Sequence, residues 1–162
     1  MADYSEGALD SVDVELLAAL QADARIPQAS LGARVGLSAA AVNRRLRRLA
    51  DDGFITSIRA RLSAERLGHP MTVIAQVEVM SEETERLDAL EQAFVACPQV
   101  QQCYYVTGEW DFVLTIVVRD MEQYRELTRS LFFGSGNVKR FKTLVVMKAS
   151  KVSLDVPLVG GR

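Results

Sequence analysis

The sequence predicts an α+β protein: an N-terminal, tri-helical winged helix-turn-helix joined by a linker to a C-terminal ferredoxin-like βαββαβ domain. Three observations carry this. Residues 36–55 follow a glycine turn and form a helix with one apolar stripe and four arginines elsewhere. The periodicity then changes from helical to alternating beyond Gly68 and Pro70. Finally, the second half runs strand, helix, strand, strand, helix, strand. The predicted boundaries are 1–62 for the first domain, 63–70 for the linker and 71–162 for the second domain.

Asp10 caps the first helix, Asp13 lies in its positive first turn, and Leu9 with Val14 can staple the chain entry. Val12, Leu16, Leu17 and Leu20 form its buried face. Asp23, Ala24 and Arg25 end it. Pro27 suits the start of a short second helix, with Leu31 and Val35 facing inward. Gly36 makes the turn. Ser38 then caps the third helix, where Val42, Leu46 and Leu49 share one stripe. Ala40, Arg44, Arg47 and Arg48 point roughly the other way, with Asn43 and Arg45 on the flanks, and Gly53 stops the helix. A solvated surface helix would interleave acids for pairing. Here the only acids are Asp51 and Asp52, at the far end. Residues 55–62 alternate apolar with polar or basic residues and predict a β wing whose Arg59 and Arg61 reach phosphates.

Composition is that of a soluble globular protein, 49% hydrophobic and 25% charged. The net charge of −2 argues mildly against nucleic acid, but its distribution argues for it. Six acids and no bases precede Arg25, whereas residues 36–62 hold six arginines and two acids. Double-stranded DNA is therefore the expected partner. Arg can bridge guanine and Asn adenine, although phosphate contact is the commoner role of an arginine. The expected DNA contacts are Ser38, Ala40, Asn43, Arg44, Arg45, Arg47, Arg48, Arg59 and Arg61. No apolar run approaches the roughly 18 residues that span a membrane, and the polar, acidic start is unlike a signal peptide. Cys97 and Cys103 read as free thiols of a reducing cytoplasm. With His69 alone beside Pro70, read as an exposed linker residue, no metal site is expected, and no cofactor. No nucleophile–base pair or phosphate loop points to an enzyme.

In the second half, residues 71–79 predict a strand. Residues 82–97 predict a helix burying Leu87, Leu90 and Phe94, ended by Pro98. Strands follow at 100–107 and 111–118 around a tight turn at 108–110. Asp120 caps a helix with Met121, Tyr124, Leu127 and Leu131 inward, and a turn at 134–137 leads to a strand at 138–147. Phe94, Cys97, Pro98 and Val100 recur as Phe132, Ser135, Gly136 and Val138, each shifted by 38 positions. The third strand is apolar on both faces, with Phe112, Leu114, Ile116 and Val118 on one and Val113 and Val117 on the other. Two helices cover only one face, so a second copy of the sheet is expected on the other, as a twofold homodimer. Residues 148–162 predict an extra strand and a frayed end.

The chain resembles the Lrp/AsnC family of transcription regulators over about residues 9–150. The resemblance rests on Leu9-Asp10, Asp13, Leu16-Leu17, Asp23-Ala24-Arg25-Ile26, Val35-Gly36-Leu37-Ser38, Arg45 to Leu49 and Gly53-Phe54-Ile55. In the second half it rests on Val106-Thr107-Gly108, Asp111-Phe112, Asp120-Met121, Tyr124 and Val145-Val146-Met147. It departs at Ala39-Ala40-Ala41, where many members carry a polar or proline-containing helix start. Base readout therefore leans on Asn43, Arg44 and Arg47, or on DNA shape. The resemblance implies a regulator-of-amino-acid-metabolism (RAM) domain, dimers that assemble to octamers, and an amino acid bound near the interface between dimers.

An amino acid is a zwitterion, and the turn Thr107-Gly108-Glu109-Trp110-Asp111 holds groups to match. Gly108 exposes amides for the carboxylate, Asp111 or Glu109 meets the ammonium, Thr107 adds a hydroxyl, and Trp110 offers an apolar wall. By resemblance Val106, Met121, Tyr124 and Leu144 join this pocket. The alternative is a ligand-independent architectural protein of the same fold that wraps DNA.

Overall fold

The computed structural model describes residues 9–158. They form two compact units, one of residues 9–60 with 152–158 and one of residues 61–151.

The first unit contains α1 (Ser11–Ala22), α2 (Gln28–Val35) and α3 (Ala39–Asp51). Asp10 and Asp13 close a reciprocal capping box, each carboxylate accepting the other's amide, at 2.8 and 3.2 Å. Pro27 precedes α2 in extended conformation, and Gly36 leaves it at φ +69°. The turn between α2 and α3 is tight at Gly32. A Cβ there would lie 2.3 Å from the Leu37 carbonyl oxygen, and the Leu37 amide donates to the Gly32 carbonyl at 2.9 Å. The Ser38 hydroxyl accepts the Ala41 amide at 3.2 Å and so caps α3. Ser38→Ala is expected to cost about 1 kcal/mol, read as a lower melting temperature. Leu16, Ala19, Leu31 and Val42 pack as the core of this unit, with Val12, Leu20, Val35 and Leu46 partly buried around them.

Two expectations in this region are corrected. Residues 55–62 form no strand. Ile58 and Leu62 are 65% and 70% exposed. An alternating stretch becomes a strand only when a neighbour pairs its amides, and no strand of the described residues does so. Residues 148–158 likewise form no strand. The segment is instead held where the Gln21 side-chain amide mimics a backbone unit, donating to the Val156 carbonyl at 3.1 Å and accepting the Val156 amide at 2.7 Å. The expected frayed end, 159–162, lies outside the described residues.

The second unit begins with a turn in which the Leu67 and His69 amides bond back to the Ser63 and Ala64 carbonyls. His69 is half-buried rather than exposed, and its buried Nδ1 has no hydrogen-bond partner. Then come β1 (Met71–Val79), α4 (Thr84–Ala96), β2 (Val100–Tyr105), β3 (Phe112–Val118), α5 (Met121–Thr128) running into a single π-helical turn (Arg129–Phe133), and β4 (Val138–Val145). The sheet order is β2-β3-β1-β4, with every neighbouring pair antiparallel. This is the expected ferredoxin-like βαββαβ arrangement.

Strand alternation sets the core. Val73, Ala75, Val77 and Val79 of β1 and Phe112, Leu114, Ile116 and Val118 of β3 are buried beneath Leu90, Phe94, Tyr124, Leu131 and Phe132. Phe94 meets Phe112 and Phe132 edge to face, with ring centroids 5.4 and 5.9 Å apart. Phe94 and Phe132 are the pair related by the 38-residue echo, so the internal repeat closes on itself in the core. Met121, expected inward, is 47% exposed. It is the first residue of α5, at the mouth of a groove, where no facing layer covers it.

Candidate DNA-reading helix and effector surface

On α3 the buried Val42 and Leu49 fix which side faces out. Ala40, Arg44 and Arg47 are exposed and Asn43 is half-exposed. Arg44 and Arg47 make no ion pair among the described residues, so their guanidiniums are available to an anion. Arg59 and Arg61 are exposed in the irregular stretch after the helix.

Arg45 and Arg48, expected among the DNA contacts, are placed differently. Arg45 Nη1 lies 2.8 Å from Asp13 Oδ1 and 2.6 Å from Asp10 Oδ2, and Arg48 Nη2 bonds to Asp13 Oδ2. The Asp13 side chain is 1% exposed. The Arg45 guanidinium, helped by the Asp13 amide, holds the Asp10 carboxyl below its usual range, and Asp10 and then Asp13 raise Arg45 in turn. The cause is the cost of burying a carboxylate, which must gather cations. Sequence spacing gave Asp13 only a helix-dipole role, because its partners lie more than thirty positions away.

The turn between β2 and β3 carries the first group of expected effector residues. Gly108 adopts φ +129°, a conformation that side chains rarely take. The Val106 amide donates to the Asp111 carbonyl at 2.8 Å, and the Asp111 amide to the Val77 carbonyl at 2.9 Å. The Asp111 carboxylate accepts the Val79 amide through Oδ2 at 2.7 Å, so it pins the turn to β1. Glu109 pairs with Arg140 at 3.1 Å, and the Arg140 guanidinium lies over the Trp110 ring at 4.6 Å. Arg140 and Lys139 also bind Glu78 and hold its carboxyl below its ordinary range, Lys139 contributing most. Glu78, Lys139 and Arg140 were not expected here. The signal is strand register, which pairs Glu78 with Arg140 and which sequence alone did not fix.

Met121 and Tyr124 line a different place, an open groove of about 510 Å³ between α5 and β4 shared with Glu122, Arg125, Thr128 and Phe141. The Tyr124 hydroxyl and the Thr143 hydroxyl are 2.8 Å apart, and burial pushes the Tyr124 phenol up. None of residues 106–111 lines this groove. Leu144 pairs with Ile74, which alternates with the buried Val73 and Ala75 and so lies on the sheet face away from the helices. Within one protomer the expected effector residues therefore occupy three places rather than one pocket.

That outer sheet face is mixed, an apolar patch flanked by Gln76, Lys142 and the Glu78–Arg140 ion pair. Ile74, Val113, Val117 and Leu144 lie on it, with Tyr104 at the β2 edge and a Thr115–Gln102 hydrogen bond of 3.0 Å between them.

A family model described as the Lrp/AsnC ligand binding domain matches residues 72–155. One described as winged helix-turn-helix DNA-binding matches residues 9–56. An uncharacterised HTH-type transcriptional regulator of Sinorhizobium fredii is 38% identical over 150 residues, covering 93% of this chain and 89% of that protein. The leucine-responsive regulatory protein of Haemophilus influenzae is 32% identical over 144 residues, covering 89% and 87%. Among solved structures, the transcriptional regulator of Neisseria meningitidis in complex with L-Met superposes with a TM-score of 0.87 at 26% identity, covering 93% of this chain and 97% of that one. No helix of the described residues is long and apolar enough to cross a membrane. The three-helix reading head, the four-stranded sheet domain and these matches together make the chain a member of the Lrp/AsnC family of DNA-binding, effector-responsive transcriptional regulators.

Proposed function

We propose that this chain regulates transcription as a cytoplasmic, non-enzymatic homodimer whose DNA affinity or assembly responds to a small amino acid. Residues 1–62 read DNA, 63–70 link, and the second domain, expected over 71–162, binds the effector and pairs the subunits, with 152–158 packing on the first unit instead. The observation that carries the reading is the combination of an outward face on α3 whose Arg44 and Arg47 are unpaired among the described residues with an apolar patch on the outer face of the sheet. Pairing two sheets through Ile74, Val113 and Val117 buries that patch and supplies two recognition helices for a near-palindrome. Further assembly to an octamer is part of the proposal. The effector would bind near the interface between dimers. The L-Met complex of the Neisseria meningitidis protein supports an amino acid as the effector.

A second reading, ligand-independent DNA wrapping, has one observation in its favour. Within one protomer the acids of the turn are already engaged, Glu109 by Arg140 and Asp111 by the Val79 amide. A thermal-shift panel of the common amino acids with light scattering separates the two. A stabilising hit that changes the scattered mass supports the effector reading. Strong DNA binding with no hit supports wrapping.

A further inference from the structure

The recognition helix carries four arginines, and the structure divides them into two pairs. Arg44 and Arg47 stand on the exposed face. Arg45, 29% exposed, and Arg48, still 47% exposed, reach back to α1, where one buried carboxylate receives both. We infer that Asp13 is a positioning residue for DNA reading: it fixes the rotation of α3 about its own axis and withholds Arg45 and Arg48 from DNA. The inference rests on the reading of Arg44 and Arg47 as the DNA-facing pair.

The geometry is specific. Asp13 Oδ1 takes Arg45 at 2.8 Å, and Oδ2 takes Arg48 together with the Asp10 amide at 3.2 Å. Positions 45 and 48 are three apart, so successive turns of α3 present them on one side. Two grips from successive turns resist both rolling and sliding, which a single ion pair would not. One residue of helical roll is about 100°, enough to replace Arg44 and Arg47 on the outward face with their neighbours. Asp10 adds a third contact through Arg45 at 2.6 Å, and the capping box locks both acids to the start of α1. The carboxylate has its own reason to hold on. At 1% exposure it has little water to replace a lost guanidinium. A count of arginines on α3 therefore overstates the charge offered to phosphates by two per reading head.

The test uses the full chain and a duplex from its own upstream region, with a random duplex as comparison, followed by fluorescence anisotropy across a salt series. Each phosphate contact contributes about 0.9 to the slope of log K against log salt. Arg47→Gln is expected to lower that slope by about this much per protomer, and no change would remove the reading of the DNA face itself. Given that result, Arg48→Gln is expected to keep the native slope, because Asp13 already neutralises Arg48. A fall equal to that of Arg47→Gln would overturn the clamp. Asp13→Asn, confirmed as folded by circular dichroism, is expected to steepen the slope as freed arginines reach phosphates. It is also expected to lower the upstream-to-random affinity ratio about tenfold. A folded Asp13→Asn with native slope and ratio would overturn the inference. If that variant does not fold, the Arg48→Gln result alone decides.

Discussion

Replacing Arg47 with alanine is expected to weaken binding to an upstream duplex by at least about tenfold, with melting unchanged within a few degrees. Arg47 is exposed and makes no ion pair among the described residues, so its loss leaves no buried group unsatisfied. Alanine is the best helix former, and a surface substitution of this kind shifts stability by no more than about 0.5 kcal/mol. The loss on DNA is larger because it is repeated. A bidentate base contact is worth about 1–3 kcal/mol, and a dimer loses one at each reading head. Anisotropy titrations and thermal melts on the same preparation check this. Unchanged binding through a salt series, with normal melting, contradicts it.

Asp111→Asn is expected to leave folding and DNA binding near native and to abolish the response to the effector. The Asp111 carboxylate does structural work in the protomer, since it accepts the Val79 amide at 2.7 Å. An asparagine oxygen can accept the same bond but offers no charge to an ammonium group. Alanine is the less informative substitution, because it strands the Val79 N–H and costs about 1–3 kcal/mol, mixing instability with lost binding. Calorimetry that finds undiminished amino-acid binding in folded Asp111→Asn would remove Asp111 from the site.

Much of the fold was legible because it is locally encoded. Asp10, Ser38 and Asp120 announce helix starts, and each side chain accepts an amide in its own first turn. Alternation in β3 separates its buried from its outer face, and the 38-residue echo marks the matching helix, turn and strand of the two halves. Features set by long-range partners were not legible. Residues 55–62 have the alternation of a strand but no partner in the described chain, and periodicity cannot show whether a partner exists. Leu144 was grouped with Met121 and Tyr124, yet register with Ile74 puts it on the opposite sheet face. A one-residue shift of a strand reverses that assignment. Arg45 and Arg48 have the composition of DNA contacts. Only the packing of α1 against α3 shows that Asp13 has taken them.

In the proposed regulator an amino acid and DNA are coupled through one chain. The measurement that tests it most directly is anisotropy of the native protein on its upstream duplex, repeated with each common amino acid, with light scattering on the same samples. Coupling between two sites is typically about 5- to 150-fold in affinity. The expected result is that at least one amino acid shifts the apparent DNA affinity by about fivefold or more, or changes the assembled mass. Tight DNA binding that no amino acid alters, in affinity or in mass, would contradict it.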